Sequence, residues 1–453
     1  MSEKKSIGQV DLLHGPIFKN LVIFMIPIFI SYLFQQLYNA VDTAIVGHVL
    51  GEASLASIGA CASIFEMMVG FALSLGGGFA IVISRAFGSG DEAAIKKAVA
   101  GSIVIGLMTS VAITILCIFG LGPLLKLINT PDAIFNESLR YISIIGIFVS
   151  VMFIYNLASG ILRAIGNSVM PLVFLVFSSL LNIFLDYAFI AWFGMGVAGA
   201  AYATVISQGI SAILCVLYIF LKVKILVPEA RHFAFDKEMY LDLAGQGYAM
   251  AIMGSIVSVG SIILQSGINS LGQEIIAGHV AARKAYALFN LPFISMGIAV
   301  STFIGQNKGA NQGKRILQAL RDAFIYDIIG AGFITILLFF TAPSIIKLIS
   351  GSSNPVILEN GAKYLRVVGP FYAVLGILVQ LRMSLQGVGA KVIPIISSVI
   401  ECVGKIVFNF VFIPMFGYAA VIWCEPLIWC LMTMQLYYAY RTNAYFKSIR
   451  KEN

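Results

Sequence analysis

Twelve apolar runs divide this chain, at residues 17–44, 54–84, 97–121, 137–161, 168–191, 198–222, 240–268, 276–305, 317–341, 359–386, 393–415 and 418–441. Each exceeds the roughly 20 residues that an α-helix needs to cross the hydrocarbon of a bilayer. Within lipid every backbone N–H and C=O must be satisfied inside the segment, which leaves the helix as the structure such runs adopt. Composition removes the soluble alternative. The 453 residues are 59% hydrophobic and 11% charged, whereas a soluble domain carries about 25% charge to cover its outside. The expected fold is therefore all-α integral membrane, with twelve transmembrane helices.

Basic residues orient the spans. With the amino terminus inside, 21 of the 29 Lys and Arg fall on the cytoplasmic side, Lys4, Lys5 and Arg382 among them, and only Lys126, Arg140, Lys347, Lys363 and Arg366 on the other. This excess places both termini in the cytoplasm. The net charge of +8 then reads as an orientation signal and an attraction for anionic membrane lipid, not as a nucleic-acid footprint. "MSEKKSIGQVDLLHG" lacks a cleavage pattern, so the first helix is expected to stay attached. The six cysteines all lie in apolar stretches without metal-binding spacing and read as packing residues.

The chain repeats itself. "LRAIGNSVMP" (162–171) returns as "LQGVGAKVIP" (385–394), "LLKLI" (124–128) as "IIKLI" (345–349), and "RYISIIGIF" (140–148) as "KYLRVVGPF" (363–371), at offsets of 221 to 223 residues. Six spans make one unit, so both halves enter the membrane in the same direction, and a pseudo-twofold axis along the membrane normal is expected. The expected division is an amino-terminal lobe at 1–222, a charged cytoplasmic linker at 223–239 and a carboxyl-terminal lobe at 240–453. In the linker, His232 and Asp236 are expected to make a solvated contact.

A carboxylate deep in such a helix costs about 2.5–3.5 kcal/mol, and residues of this kind face a cavity or a partner. Asp42 is one. Asn182 and Asp186 in "SLLNIFLDYAF" stand four apart, on one helical face. At 1.5 Å per residue, Asp186 lies about 27 Å from the inner end of its span, Asp42 roughly 33 Å beyond Asn20, and Thr204 about 9 Å below the outer end of its own. All three fall in the outer part of the bilayer. Two carboxylates, an amide oxygen and a hydroxyl at one level suit a hard monovalent cation such as Na⁺, or a proton shared between like charges. Helix capping near the headgroups accounts for one such Asp more readily than for two with an Asn a turn away.

"PIFISYLFQQLYNAVDTAIVG", "NSVMP", "LNIFLDYAF", "GVAGAAYATV" and "GQNKGA" resemble the multidrug and toxic compound extrusion (MATE) family over nearly the whole chain, and its DinF-type branch in particular. The resemblance implies a secondary active exporter of organic, often cationic drug-like compounds in exchange for H⁺ or Na⁺. It implies no catalysis and no cofactor, and a monomer in a bacterial plasma membrane. The coupling roles fall on Asp42, Asn182, Asp186 and Thr204, and Pro27 is implied as a bend point in the first helix. A NorM-type member would carry acidic residues within helices seven and ten; here Asp242 and Glu359 stand only at their entrances.

The second half departs from the first. At the 223 offset Asn182 corresponds to Lys405 and Asp186 to Asn409, so a cation replaces part of a cation-binding set. Glu401, four residues earlier, is placed to pair with Lys405, and charges facing the substrate path are the alternative reading of the two. Arg283, Lys284, Glu66, Asp327 and Glu425 are expected to face a central path, and Tyr32, Gln36, Met67 and Met68 to help line it. "GMGVAG" (194–199) has no βαβ setting, and "GANQGKR" (309–315) lacks P-loop spacing. A flippase or exporter of a lipid-linked or anionic substrate within the same superfamily is the alternative that Arg283, Lys284 and Lys405 keep open.

Overall fold

A computed structural model describes residues 7–452, and these are almost wholly helical. The long elements are α1 (Ile17–Leu50), α2 (Glu52–Ser89), α3 (Glu92–Leu127), α4 (Asp132–Ile147), α5 (Val149–Ala164), α6 (Val169–Tyr187), α7 (Val197–Lys222), α8 (Lys237–Ile268), α9 (Gln273–Gly309) and α10 (Gly313–Ser350). They continue with α11 (Pro355–Val368), α12 (Tyr372–Gly387), α13 (Val392–Val407), the single turn α14 (Ile413–Phe416), α15 (Tyr418–Thr442) and the short α16 (Ala444–Lys451). Eleven helical stretches are long and apolar enough to cross a membrane, and α4 with α5, bent by 47°, makes a twelfth. Lys4 and Lys5 lie outside the described residues.

Two spans are broken where a continuous helix is expected. Residues 137–161 divide at Phe148, which is the C-cap of α4 and the N-cap of α5. Residues 359–386 divide at a 3₁₀ turn, Gly369–Phe371, where Pro370 cannot donate to the helix ladder. Several helices also outrun their apolar runs. α1 continues to Leu50 and α3 to Leu127, because a helix keeps its own hydrogen bonds after it leaves hydrocarbon.

The chain forms two compact units whose limits differ from those of the repeat. One comprises Ile26–Ala251 with the described residues up to Asp11, the other Leu12–Met25 with Ile252–Asn453. The start of α1 and the residues before it therefore pack in the second unit, where Asn307 Nδ2 donates to Leu12 O at 3.0 Å and Arg315 Nη1 to Gly15 O at 2.9 Å. The linker and the start of α8 pack in the first. In both units glycine lets helices cross at backbone distance. A Cβ on Gly76 (α2) would lie 2.9 Å from Asn156 O (α5), and one on Gly278 (α9) 2.7 Å from Ile357 O (α11). Small residues at such crossings recover the packing that lipid cannot supply.

Ion pairs on α3 hold the linker. Lys96 reaches Glu229 and Lys97 reaches Asp236, each at 3.3 Å. His232 does not meet Asp236; its Nδ1 accepts the Glu229 N–H at 3.0 Å, and the ring is buried. The hydrogen bond from Lys96 holds the Glu229 carboxyl below its ordinary range, and the Met239 backbone N–H, then Lys97, does the same for Asp236. A depressed carboxyl contributes its stabilisation above its unfolded pKa and loses it as pH falls through the folded value. Limited proteolysis of the linker should therefore stay slow at neutral pH and quicken only below about pH 4. Quickening already at pH 6 would mean that these pairs do not tether it.

Candidate functional site

α6 is amphipathic in the sense that lipid demands. Val173, Phe177, Leu180 and Phe184 point outward, while Ser178, Ser179, Asn182 and Asp186 are buried. Polar groups can be satisfied only on the protein side of such a helix, so the spacing of the polar residues fixes which face turns in. Directly after Asp186 the helix widens into a π turn, Ala188–Trp192, an irregularity frequent at functional sites. α7 packs alongside and buries Thr204 and Ser207.

These helices enclose a polar cavity of about 30 Å³ within the first unit, room for about two waters. Gln35, Tyr38, Asn156, Asn182, Thr204 and Gln208 contribute to its wall. The Asp42 and Asp186 carboxyl groups are neighbours in this unit. Asp186 is fully buried. Neither of its oxygens, nor Asp42 Oδ1, nor either polar atom of Asn182 has a hydrogen-bond partner among the described residues. As carboxylates the two Asp can only accept, so what fits between them is a donor or a cation: one proton, or a small ion held by their oxygens with Asn182 Oδ1.

Of the four expected site residues, Asn182 and Thr204 line this cavity, while Asp42 and Asp186 neighbour each other in the same unit without lining it. Their neighbours Tyr38 and Gln208 went unrecognised in the sequence, although each stands four residues from a site residue (Asp42 and Thr204), hence on the same helical face. Gln35 lines the cavity, whereas Gln36 is exposed. Asn156 gave no signal. Met68, expected on a path, is 5% exposed and belongs to the apolar core, while Met67 is exposed and Tyr32 half-buried. Pro27 stands at the point where α1 passes from one compact unit to the other, between Met25 and Ile26.

In the second unit α13 repeats the pattern with different chemistry. Ser397, Ser398, Lys405 and Asn409 are buried, and a π turn, Phe408–Phe412, again follows. Lys405 Nζ donates to Glu401 Oε1 and to Ser261 Oγ, each at 2.9 Å. Arg283 Nη1 donates to both Glu425 oxygens at 2.7 Å and to Tyr364 Oη at 3.2 Å. Lys284 and Glu66 are exposed. Asp327 does not face a path: it is fully buried, packed so closely on Gly376 that a Cβ there would lie 2.6 Å from its own. Arg382, grouped above with the cytoplasmic charges, is half-buried, 3.9 Å from Glu401.

The profile of the MatE family matches residues 27–188 and 249–411. The chain is 27% identical over 391 residues to "Probable multidrug resistance protein YpnP" of Bacillus subtilis, covering 86% of this chain and 87% of that one. It is 25% identical to "Probable multidrug resistance protein NorM" of Thermotoga maritima over 84% of this chain and 82% of that one. A solved structure described as a multidrug resistance MATE family transporter in an outward-facing conformation superposes with a TM-score of 0.90 at 24% identity, covering 99% of this chain and 100% of that one.

Proposed function

Since this chain belongs to the MatE family, the multidrug and toxic compound extrusion transporters, we propose that it exports organic, often cationic amphipathic compounds across a bacterial cell membrane in exchange for H⁺ or Na⁺. Its relatives' names support the drug-like cargo. One observation carries the coupling site: two neighbouring carboxyl groups with buried unpartnered oxygens, beside a polar cavity. Both termini would lie in the cytoplasm, and the protein would act as a monomer in contact with membrane lipid.

Coupling needs an ion that binds one arrangement of the first unit more tightly than the other. A proton suits the pair directly, because two neighbouring carboxylates are poorly stable as two anions. Na⁺ is the second reading, favoured by the all-oxygen set that Asn182 and Thr204 complete. Either way the ion draws the Asp42 and Asp186 oxygens together and changes the polar wall that cargo meets. Reciprocity then makes cargo binding weaken ion binding by the same factor. Pro27 leaves α1 without one ladder hydrogen bond, which allows the helix to bend there as Asp42 is drawn in. One charge moving inward gains about 2.3 kcal/mol per 100 mV of potential.

The test is export of a fluorescent organic cation from sealed vesicles under a pH gradient alone and a Na⁺ gradient alone. The parent should respond to one gradient, and Asp42→Asn to neither. Full gradient-driven export by Asp42→Asn would refute the assignment.

A further inference from the structure

The second unit holds its own polar cavity, of about 100 Å³, at the places that the repeat makes equivalent to the cation site. Gly196 and Gly417 open α7 and α15 with the same left-handed φ, 61° and 56°, so the offset there is 221 residues and Thr204 corresponds to Glu425. At the 223 offset Asn182 corresponds to Lys405 and Tyr141 to Tyr364. Both carboxylates of the first unit have lost their counterparts: Asn409 stands for Asp186, and Ile263, counted from Gly51 and Gly272, for Asp42.

The charges around this cavity are uneven. Lys405, Arg283 and Glu425 line it, two cations against one carboxylate. Glu401 sits outside the wall, between Lys405 and Arg382. Across the whole cluster three cations face two carboxylates, and Arg382 Nε and Nη2 are buried without a hydrogen bond among the described residues. Donors remain unused as well. Lys405 makes two of its three N–H bonds. Among the described residues every hydrogen bond of Arg283 comes from Nη1, while the guanidinium lies over the Tyr286 ring at 4.5 Å and its side chain is 36% exposed. Nε and Nη2 are thus free to present the paired donors that match a carboxylate.

We infer that this cavity, between Lys405 and Arg283, is a carboxylate-binding site. Its occupant is either the acidic end of a zwitterionic cargo or a free small carboxylate. Glu425 sets its size and orientation by keeping Nη1 engaged, so that the guest meets Nε, Nη2 and the third ammonium proton. A guest carboxylate balances the one excess positive charge of the cluster.

Binding of radiolabelled benzoate to the purified full chain in lipid nanodiscs, by equilibrium dialysis, tests this without requiring transport. The parent should bind saturably. The double variant Lys405→Met/Glu401→Gln, which removes both members of the Lys405–Glu401 pair, should bind about tenfold more weakly or worse, and Lys405→Arg should retain binding. A second arm measures export of a cationic xanthene dye with a free carboxylate against its methyl ester in proteoliposomes. An acid-over-ester preference that the double variant abolishes assigns the site to cargo; benzoate binding without such a preference assigns it to a free carboxylate. The inference is overturned when the double variant changes neither the benzoate affinity nor the acid-to-ester ratio. Failure of the export reading alone leaves the benzoate arm readable.

Discussion

Asp186→Asn is expected to reduce gradient-driven export about 5- to 150-fold, the span of typical coupling free energies, while leaving the protein as stable as the parent. Asn keeps the volume and an acceptor oxygen of Asp, so the packing around this fully buried position is undisturbed. What disappears is the second carboxyl group, without which Asp42 has no partner to share a proton or complete an ion shell. A charged Asp in a span carries an insertion cost of about 2.5–3.5 kcal/mol that Asn does not. Thermal unfolding in detergent should accordingly show a melting temperature no lower than the parent's. Vesicle export and melting, measured on the same preparation, separate coupling from folding. Parental export rates from Asp186→Asn would remove the pair from the coupling mechanism.

Arg283→Met should be the most damaging single change in the second unit. Glu425 is 7% exposed and takes two hydrogen bonds from Arg283 and one from Tyr364. Without the guanidinium its charge remains in a buried setting, hydrogen-bonded to the tyrosine alone among the described residues. Removing one member of a buried pair costs 3–5 kcal/mol in general, and the partial exposure of Arg283 puts the expected loss near the low end, about 3 kcal/mol. Removing both members is far milder, because the stranded charge goes with its partner. Arg283→Met/Glu425→Gln should recover most of the lost stability, read as melting temperature by fluorescence-detected size exclusion. If the double variant melts as low as Arg283→Met, the loss is one of packing and not of an unpaired carboxylate.

Span number, helix type and the inward faces of α6 and α13 were all legible in the sequence. Lipid gives the backbone no partners, so each long apolar run must close its own hydrogen bonds as a helix. The same solvent turns Asn182 and Asp186, and likewise Glu401 and Lys405, away from it, so polar spacing alone names the buried face. The Glu401–Lys405 contact follows from a four-residue spacing within one helix.

Contacts between helices distant in sequence were not legible. Arg283 and Glu425 stand 142 residues apart, and periodicity cannot say which buried cation meets which buried carboxylate. Arg382 and Asp327 show the same limit: hydropathy marks them as costly but not as packed on α13 or against Gly376. Nor does the repeat reveal that the starts of α1 and α8 pack in the units opposite to their own sequence halves. Local rules reach one helix at a time, because the bilayer acts on each helix separately. The sequence by itself thus determined twelve helical spans and the polar faces they must hide. Tertiary structure decided what those faces meet, since the choice among buried partners depends on which backbones approach closely enough, as at Gly76 and Gly278, to bring them together.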